Sequence, residues 1–229
     1  MTTASLAAAL PAFFMPEPER THHDLPTPVH TDAVDESSDA ESVRLMLRVK
    51  EGDERALEKL IELHQNAIIG TVYRMLGSVD DAHDIAQQVF IRVWRSAPRY
   101  EPTAKFTTWL YTITRNLVFN ETRRRGRRKE VSMEQESEDD PPKHFVDASV
   151  AGADENLAKA EFHDALDRAI AALPEKQRLA VMLRGKQDLP YEEICEILKM
   201  SLPALKSLLF RARNDLRKHL AQFLGEDLE

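Results

Sequence analysis

Residues 79–129 read VDDAHDIAQQVFIRVWRSAPRYEPTAKFTTWLYTITRNLVFNETRRRGRRK, and their spacing decides the fold class. Ile85, Val89, Phe90 and Val93 recur every three or four residues, the period of one helix face, while Asp84, Gln87, Gln88, Arg92 and Arg95 fall on the other side. Pro98 has no amide hydrogen to continue the helix, so residues 99–105 read as a loop that turns at Pro102. Thr107 or Thr108 can cap a second helix, whose apolar stripe is Trp109, Leu110, Ile113, Leu117 and Val118. Arg123, Arg124, Arg125, Arg127, Arg128 and Lys129 close the stretch: six cations in seven residues, interrupted by Gly126.

The same period extends in both directions. Upstream, Val43, Met46, Leu47 and Val49 suit a short helix that starts at Ser42 and stops at Gly52, with Asp53 placed to cap the next. That next helix carries Leu57, Leu60, Ile61, His64, Ile68, Val72, Met75 and Leu76, ends at Gly77, and hands over to Ser78 or Asp80 as the following cap. Downstream, residues 130–154 are acidic, contain Pro141-Pro142 and have no apolar period, the composition of a linker. Extended chain spans about 3.3 Å per residue, so this linker lets two modules lie far apart. Beyond it, Leu157, Phe162, Ala165, Leu166, Ala169, Ile170 and Leu173 mark one helix, and Pro174 starts another with Leu179, Met182 and Leu183. Residues 191–198 and 202–220 then read as two helices around the turn Lys199-Met200-Ser201, with Ser201 as N-cap and Pro203 in the first turn. This is a helix-turn-helix, whose second helix enters a major groove. The expected architecture is all-α, with two small helical domains at 42–129 and 155–224 joined by a flexible acidic linker at 130–154. Residues 1–41, with Pro11, Pro16, Pro18, Pro26 and Pro28, read as a disordered acidic tail.

The net charge of −8 over 229 residues conceals an alternation. Residues 1–41 hold eight acids and one base, and residues 130–161 ten acids and two bases. Residues 42–129 hold seventeen bases and ten acids, and residues 162–229 eleven of each. A nucleic-acid surface is therefore compatible with an acidic whole. The first fifteen residues contain no Lys or Arg, so the basic start of a secretory signal is missing. No run approaches the roughly 18 apolar residues of a membrane span, which predicts no membrane insertion. Cys195 is alone and reads as a small buried hydrophobe, consistent with a reducing, cytoplasmic setting.

Six crowded cations repel one another unless they meet a polyanion, and counterion release from phosphate drives such binding. A solvated basic helix end is the plainer alternative. Tyr100, Phe106, Trp109, Tyr111 and Phe119 can stack on unpaired bases, for roughly 1–3 kcal/mol per base, or fill a core. Trp109 lies on the apolar stripe and reads as core, while Tyr100, Phe106 and Tyr111 stay open. The Gln87-Gln88 face is either a docking surface or merely solvated. Residues 199–218 set Lys199, Lys206, Arg211, Arg213, Arg217 and Lys218 against Asp215 alone, a bias that suits DNA. His22, His23 and His30 have no partners at ligand spacing. No nucleophile–base pair, phosphate loop or metal motif appears, so neither catalytic residues, nor a cofactor, nor a metal is expected.

Glu51-Gly52-Asp53 with Ala56, Asp80 through Phe90, Phe106 through Asn116, and Leu173-Pro174 through Arg213 together resemble the extracytoplasmic-function (ECF) sigma factors of bacterial RNA polymerase. Both modules match, in the family's order. The resemblance implies an initiation factor that binds core RNA polymerase, directs it to specific promoters and assists melting, with a region 2-like first module and a region 4-like second. It implies polymerase binding by Asp84, Gln87, Gln88 and Arg92. It implies that the loop at 100–105 holds a base flipped from the minus-ten element. The single-strand contacts carried over are Tyr100, Thr103, Lys105, Phe106, Tyr111, Arg115, Asn116, Arg123 and Arg124. For the duplex minus-thirty-five element they are Lys199, Ser201, Pro203, Lys206, Ser207, Phe210 and Arg211.

Three positions depart from the family pattern. Lys199 stands where Gly is usual, Leu208 where a basic residue is common, and Pro203 replaces a small or polar residue. The implied partners are core RNA polymerase and promoter DNA. An anti-sigma protein is a further partner the sequence leaves open, as is control by the acidic tail and linker covering the basic block. The competing reading is a stand-alone helix-turn-helix regulator, which has no use for the helix at 84–94.

Overall fold

Asp53 and Ser78 sit where short polar side chains leave the chain no better partner than the amides just ahead of them, and both begin helices. Asp53 Oδ1 accepts the Ala56 amide at 3.1 Å and Ser78 Oγ accepts the Asp81 amide at 3.3 Å. Arg48 donates to Asp53 Oδ2 at 2.6 Å and, with the amide, holds that carboxyl below the usual range. Gly52 (φ +90°) and Gly77 (φ +73°) make the left-handed stops before these caps.

The computed structural model describes residues 32–132 and 153–224. They form α1 (Asp32–Lys50), α2 (Glu54–Leu76), α3 (Val79–Ser96), α4 (Phe106–Ser132), α5 (Ala153–Ala172), α6 (Glu175–Gly185), α7 (Tyr191–Leu198) and α8 (Leu202–Leu224). A single 3-10 turn, Ala97–Arg99, follows α3. The fold is all-α, with no strand among the described residues. The tail to residue 31, with its three histidines, and linker residues 133–152 lie outside the described residues.

Two helix starts differ from the sequence expectation, for one reason. α1 begins at Asp32 rather than Ser42, and α4 begins at Phe106, so Thr107 and Thr108 lie inside the helix and cap nothing. The cap of α4 comes from α1: Asp39 accepts the Phe106 and Thr107 amides, both at 3.1 Å. A carboxylate delivered from 67 residues away leaves no local signal, and Asp39 and Ser42 are polar, so apolar periodicity does not reveal their part of α1. Ser42, fully buried, hydrogen-bonds His64 Nε2 at 2.9 Å. α4 also runs through Gly126 to Ser132; one Gly in a helix costs only about 1 kcal/mol.

α2, α3 and α4 bury Leu60, Ile68, Val72, Val89, Val93 and Leu110 against one another. In the second module α6, α7 and α8 do the same with Leu183, Ile194, Ile197, Leu205 and Leu209. The modules meet: α7 packs on α4, and α5 and α6 pack on α2. Arg178 of α6, its guanidinium largely desolvated, donates to the Met75 carbonyl at 2.8 Å, to the Leu173 carbonyl at 3.0 Å and to the Ala171 carbonyl. It thereby satisfies one of the last carbonyls of α2, which no intrahelical amide can reach.

The helix-turn-helix explains one of the three departures and shows the cost of a second. Leu208 is 9% exposed and belongs to the core, so an apolar residue is what its position demands. Lys199 closes α7 at φ 53°, ψ 56°, a left-handed conformation that costs an L-residue roughly 1–2 kcal/mol. Lys199→Gly is therefore expected to raise unfolding stability by about 1 kcal/mol, read as a higher midpoint in urea titration. An unchanged or lower midpoint counts against strain at this turn.

Candidate nucleic-acid interface

The outward face of α3 is less polar than its sequence suggests. Asp84, Gln87, Gln88 and Arg92 are all exposed, as expected. Asp84 and Gln87 border a groove of about 820 Å³ between α2 and α3, floored by Leu57, Ile61, Ile69 and Phe90. Ile91 (42% exposed) and Trp94 (37%) complete its rim. These two residues were missed as site candidates, although their spacing from Gln87 places them on one helical strip. Gln88 and Arg92 turn instead to a smaller cleft with Asn120, Glu121 and Arg124 of α4.

The loop after α3 rests on aromatic rings. Tyr100 lies edge-on to Trp109 at 5.0 Å, and Phe106 lies 5.8 Å from Trp109 and 5.2 Å from the His64 ring. Tyr100 (3% exposed), Phe106 (0%) and Tyr111 (5%) are core residues in this conformation, the packing alternative of the two that the sequence left open for them. Burial pushes the Tyr100 phenol up to about 12 and raises that of Tyr111 further. Glu101, Pro102, Thr103 and Ala104 form the exposed tip, tightened by a bond from the Thr103 amide to the Glu101 carbonyl at 2.8 Å.

The basic block divides by role. Arg125 donates to the Leu76 carbonyl at 2.9 Å and pairs with Asp81 at 2.5 Å and Glu121 at 3.2 Å, so it ties α4 to the junction of α2 and α3. The hydrogen bond between the Ser78 and Asp81 side chains, and then Arg125, hold the Asp81 carboxyl below its usual range. Arg124 pairs with Glu121 at 2.8 Å but stays half exposed. Arg123, Arg127 and Arg128 are exposed. Arg115 and Asn116 are half-buried and bonded to each other, with the Arg115 guanidinium 6.0 Å from the Phe119 ring.

On the second module Lys199, Ser201, Pro203, Lys206, Ser207, Phe210 and Arg211 are all exposed along the start and one side of α8. Phe210 is 62% exposed, the largest exposure among the big apolar side chains of the described residues. Opposite this surface, Glu193 of α7 reaches the first module. Its carboxylate accepts from Thr108 Oγ1 at 2.9 Å and pairs with Lys105 Nζ at 2.9 Å. Sequence reasoning could not find Glu193, because its partners lie across the linker. Among the described residues no His, Cys, Asp and Glu cluster is arranged to hold a metal, and no helix is long and apolar enough to cross a membrane.

Two expectations follow from this geometry. Arg125→Ala should lower stability by roughly 1–3 kcal/mol, because charged hydrogen bonds and a carbonyl contact are lost together. Arg127→Ala should stay within about 0.5 kcal/mol of wild type and reduce the salt dependence of single-strand binding by roughly 0.7 in log–log slope. Urea unfolding and fluorescence titration at several salt concentrations separate the two residues. A third expectation concerns His64, whose pKa is lowered by burial against only a partial offset from Asp39. The unfolded chain then binds more protons below about pH 6.5, so stability is full above that value and falls as pH drops through it. His64→Gln should flatten this part of the stability–pH curve; an unaltered slope assigns it to other groups.

Comparison with known proteins agrees with this layout. The Sigma-70 region 2 family matches residues 60–128 and the Sigma-70 region 4 family matches residues 163–216. The ECF RNA polymerase sigma factor SigW of Bacillus subtilis is 30% identical over 189 residues, covering 76% of this chain and 93% of SigW. The RNA polymerase sigma-H factor of Pseudomonas aeruginosa is 31% identical over 186 residues, covering 80% of this chain and 95% of its own. In fold, the sigma factor RpoE from Bartonella quintana, solved with the anti-sigma factor NepR, superimposes with a TM-score of 0.59 at 24% identity, over 72% of this chain and 96% of RpoE. The order of the two matched regions, and relatives of this identity along most of the chain, place the protein in the ECF sigma factors of bacterial RNA polymerase.

Proposed function

We propose that this chain carries core RNA polymerase to a defined promoter set by dividing the work among the three surfaces just described. It is a transcription initiation factor, and the observation that carries the division is the apolar groove beside Gln87 on α3. A regulator that worked alone on duplex DNA would gain nothing from exposing Ile91 and Trp94 next to Leu57 and Ile61. In this reading the groove takes an element of the polymerase, and the loop tip at 101–104 holds a flipped base. Arg123, Arg124, Arg127 and Arg128 steer the melted strand, and α8 reads the duplex upstream element through Lys199, Ser201, Pro203, Lys206, Ser207, Phe210 and Arg211.

The work is binding rather than catalysis. Opening a duplex costs a few kcal/mol per unstacked base, and capture of the flipped base together with polymerase contacts supplies it. The buried rings under the loop act as its foundation in this scheme, while Thr103 and Lys105 are the loop side chains positioned to touch DNA. Lys105 and Thr108 are held by the Glu193 carboxylate, in the place a phosphate would take. Engaging the minus-ten strand therefore requires α7 to move off α4. The setting is cytoplasmic, where polymerase and promoter are found. An anti-sigma protein fits as a further partner, since RpoE of Bartonella quintana was solved with one.

Transcription in vitro with core polymerase and a genomic promoter library tests the function. Discrete start sites are expected with this protein, and none with core alone. Gln87→Ala and Trp94→Ala should each weaken core binding about ten-fold, since interface anchors of this kind carry 1 kcal/mol or more, with helical content unchanged by circular dichroism. Unaltered core affinity in both variants would remove the groove from the polymerase interface.

A further inference from the structure

The loop that holds the flipped base in the reading above is clamped at both ends by one helix, α1. At its start, Lys50 Nζ donates to the Tyr100 carbonyl at 2.9 Å. At its end, Asp39 Oδ2 accepts the Phe106 amide at 3.1 Å, and Oδ1 accepts the Thr107 amide at 3.1 Å and the Thr107 hydroxyl at 3.2 Å. Asp39 and Lys50 are eleven residues apart, close to three full helical turns, so they project from the same face of α1, about 16 Å apart along its axis. The helix thus works as a ruler laid under the loop.

The chemistry suits the task. The first amides of α4 have no intrahelical acceptors and carry the positive end of its dipole, and Asp39 meets both needs from a site only 8% exposed. Lys50 satisfies the carbonyl that enters the loop. The main-chain groups at both ends are therefore engaged by α1, while the tip at Glu101, Pro102, Thr103 and Ala104 stays exposed. Neither clamp residue borders the α2–α3 groove, so loop geometry and polymerase docking are separable.

We propose that Asp39 and Lys50 are positioning residues for minus-ten recognition: they fix the span and entry angle of the loop from Tyr100 to Phe106, and through it the selectivity for the flipped base. This rests on the functional reading above. α1 contributes to promoter choice without touching DNA.

The test uses holoenzyme assembled from the full chain and core polymerase, with single-stranded oligonucleotides randomised over six positions as probe. Bound molecules are sequenced, and core affinity and thermal unfolding are measured in parallel. Wild-type holoenzyme is expected to enrich a defined hexamer. Asp39→Ala and Lys50→Met should each reduce that enrichment about ten-fold or more while core affinity holds, and Asp39→Glu should recover part of it. A purely structural role would lower the unfolding temperature and leave the enriched hexamer as it is. Retention of wild-type enrichment in folded Asp39→Ala and Lys50→Met overturns the positioning role alone. If Asp39→Ala does not fold, Lys50→Met, altered at an exposed position, decides the matter. Failure of the wild-type holoenzyme to enrich any sequence overturns the functional reading and this proposal with it.

Discussion

Burial of α4 is the constraint on which the rest of the structure depends. Phe106, Leu110, Tyr111, Thr114, Leu117 and Val118 are all under a tenth exposed, and they are covered from different sides by α1, α2, α3 and α7. A helix surrounded in this way cannot shift along its axis without opening several contacts at once, because close-packed interiors transmit displacement rather than absorb it. The loop that leads into α4 inherits that rigidity. Its own tip is exposed, yet it runs directly into α4 and both its ends are held by α1. The exposed tip is thus presented from a fixed base.

The charges follow from the same arrangement. Arg125 is drawn into the junction of α2, α3 and α4 and spent on structure, so the block of six cations is electrostatically smaller than it reads. Among the described side chains of the block, exposed Arg123, Arg127 and Arg128 with half-exposed Arg124 form a track along the outer end of α4. Glu193 shows the complementary effect. One carboxylate from the second module neutralises Lys105 and occupies the Thr108 hydroxyl, so the two modules are complementary to each other at this contact. Such contacts are exchangeable, since phosphate offers the same acceptor chemistry with more charge.

Separate faces allow separate partners. The groove between α2 and α3, the loop before α4 and the exposed side of α8 share none of the residues assigned to them. A protein of this kind can therefore hold a polymerase and two stretches of promoter together. Affinity for the whole assembly then grows through effective concentration, each contact making the next intramolecular.

Much of this was legible in the sequence. Helix existence, the caps at Asp53 and Ser78, the stop at Gly77, the turn at Lys199 and the exposed face of α8 all follow from local signals: a 3.6-residue period, short polar side chains ahead of it, and residues placed at turns. Each depends on neighbours within a few positions, and so can be read from a string. Tertiary structure alone decided the remainder. Asp39 caps a helix 67 residues away, Arg125 is structural because Asp81 and the Leu76 carbonyl converge on it, and Tyr100, Phe106 and Tyr111 are core because α4 is covered on several sides. The meeting of Glu193 with Lys105 spans the linker. In every one of these cases a deciding partner is distant in sequence, and composition and periodicity carry no information about which distant groups the fold will bring into contact.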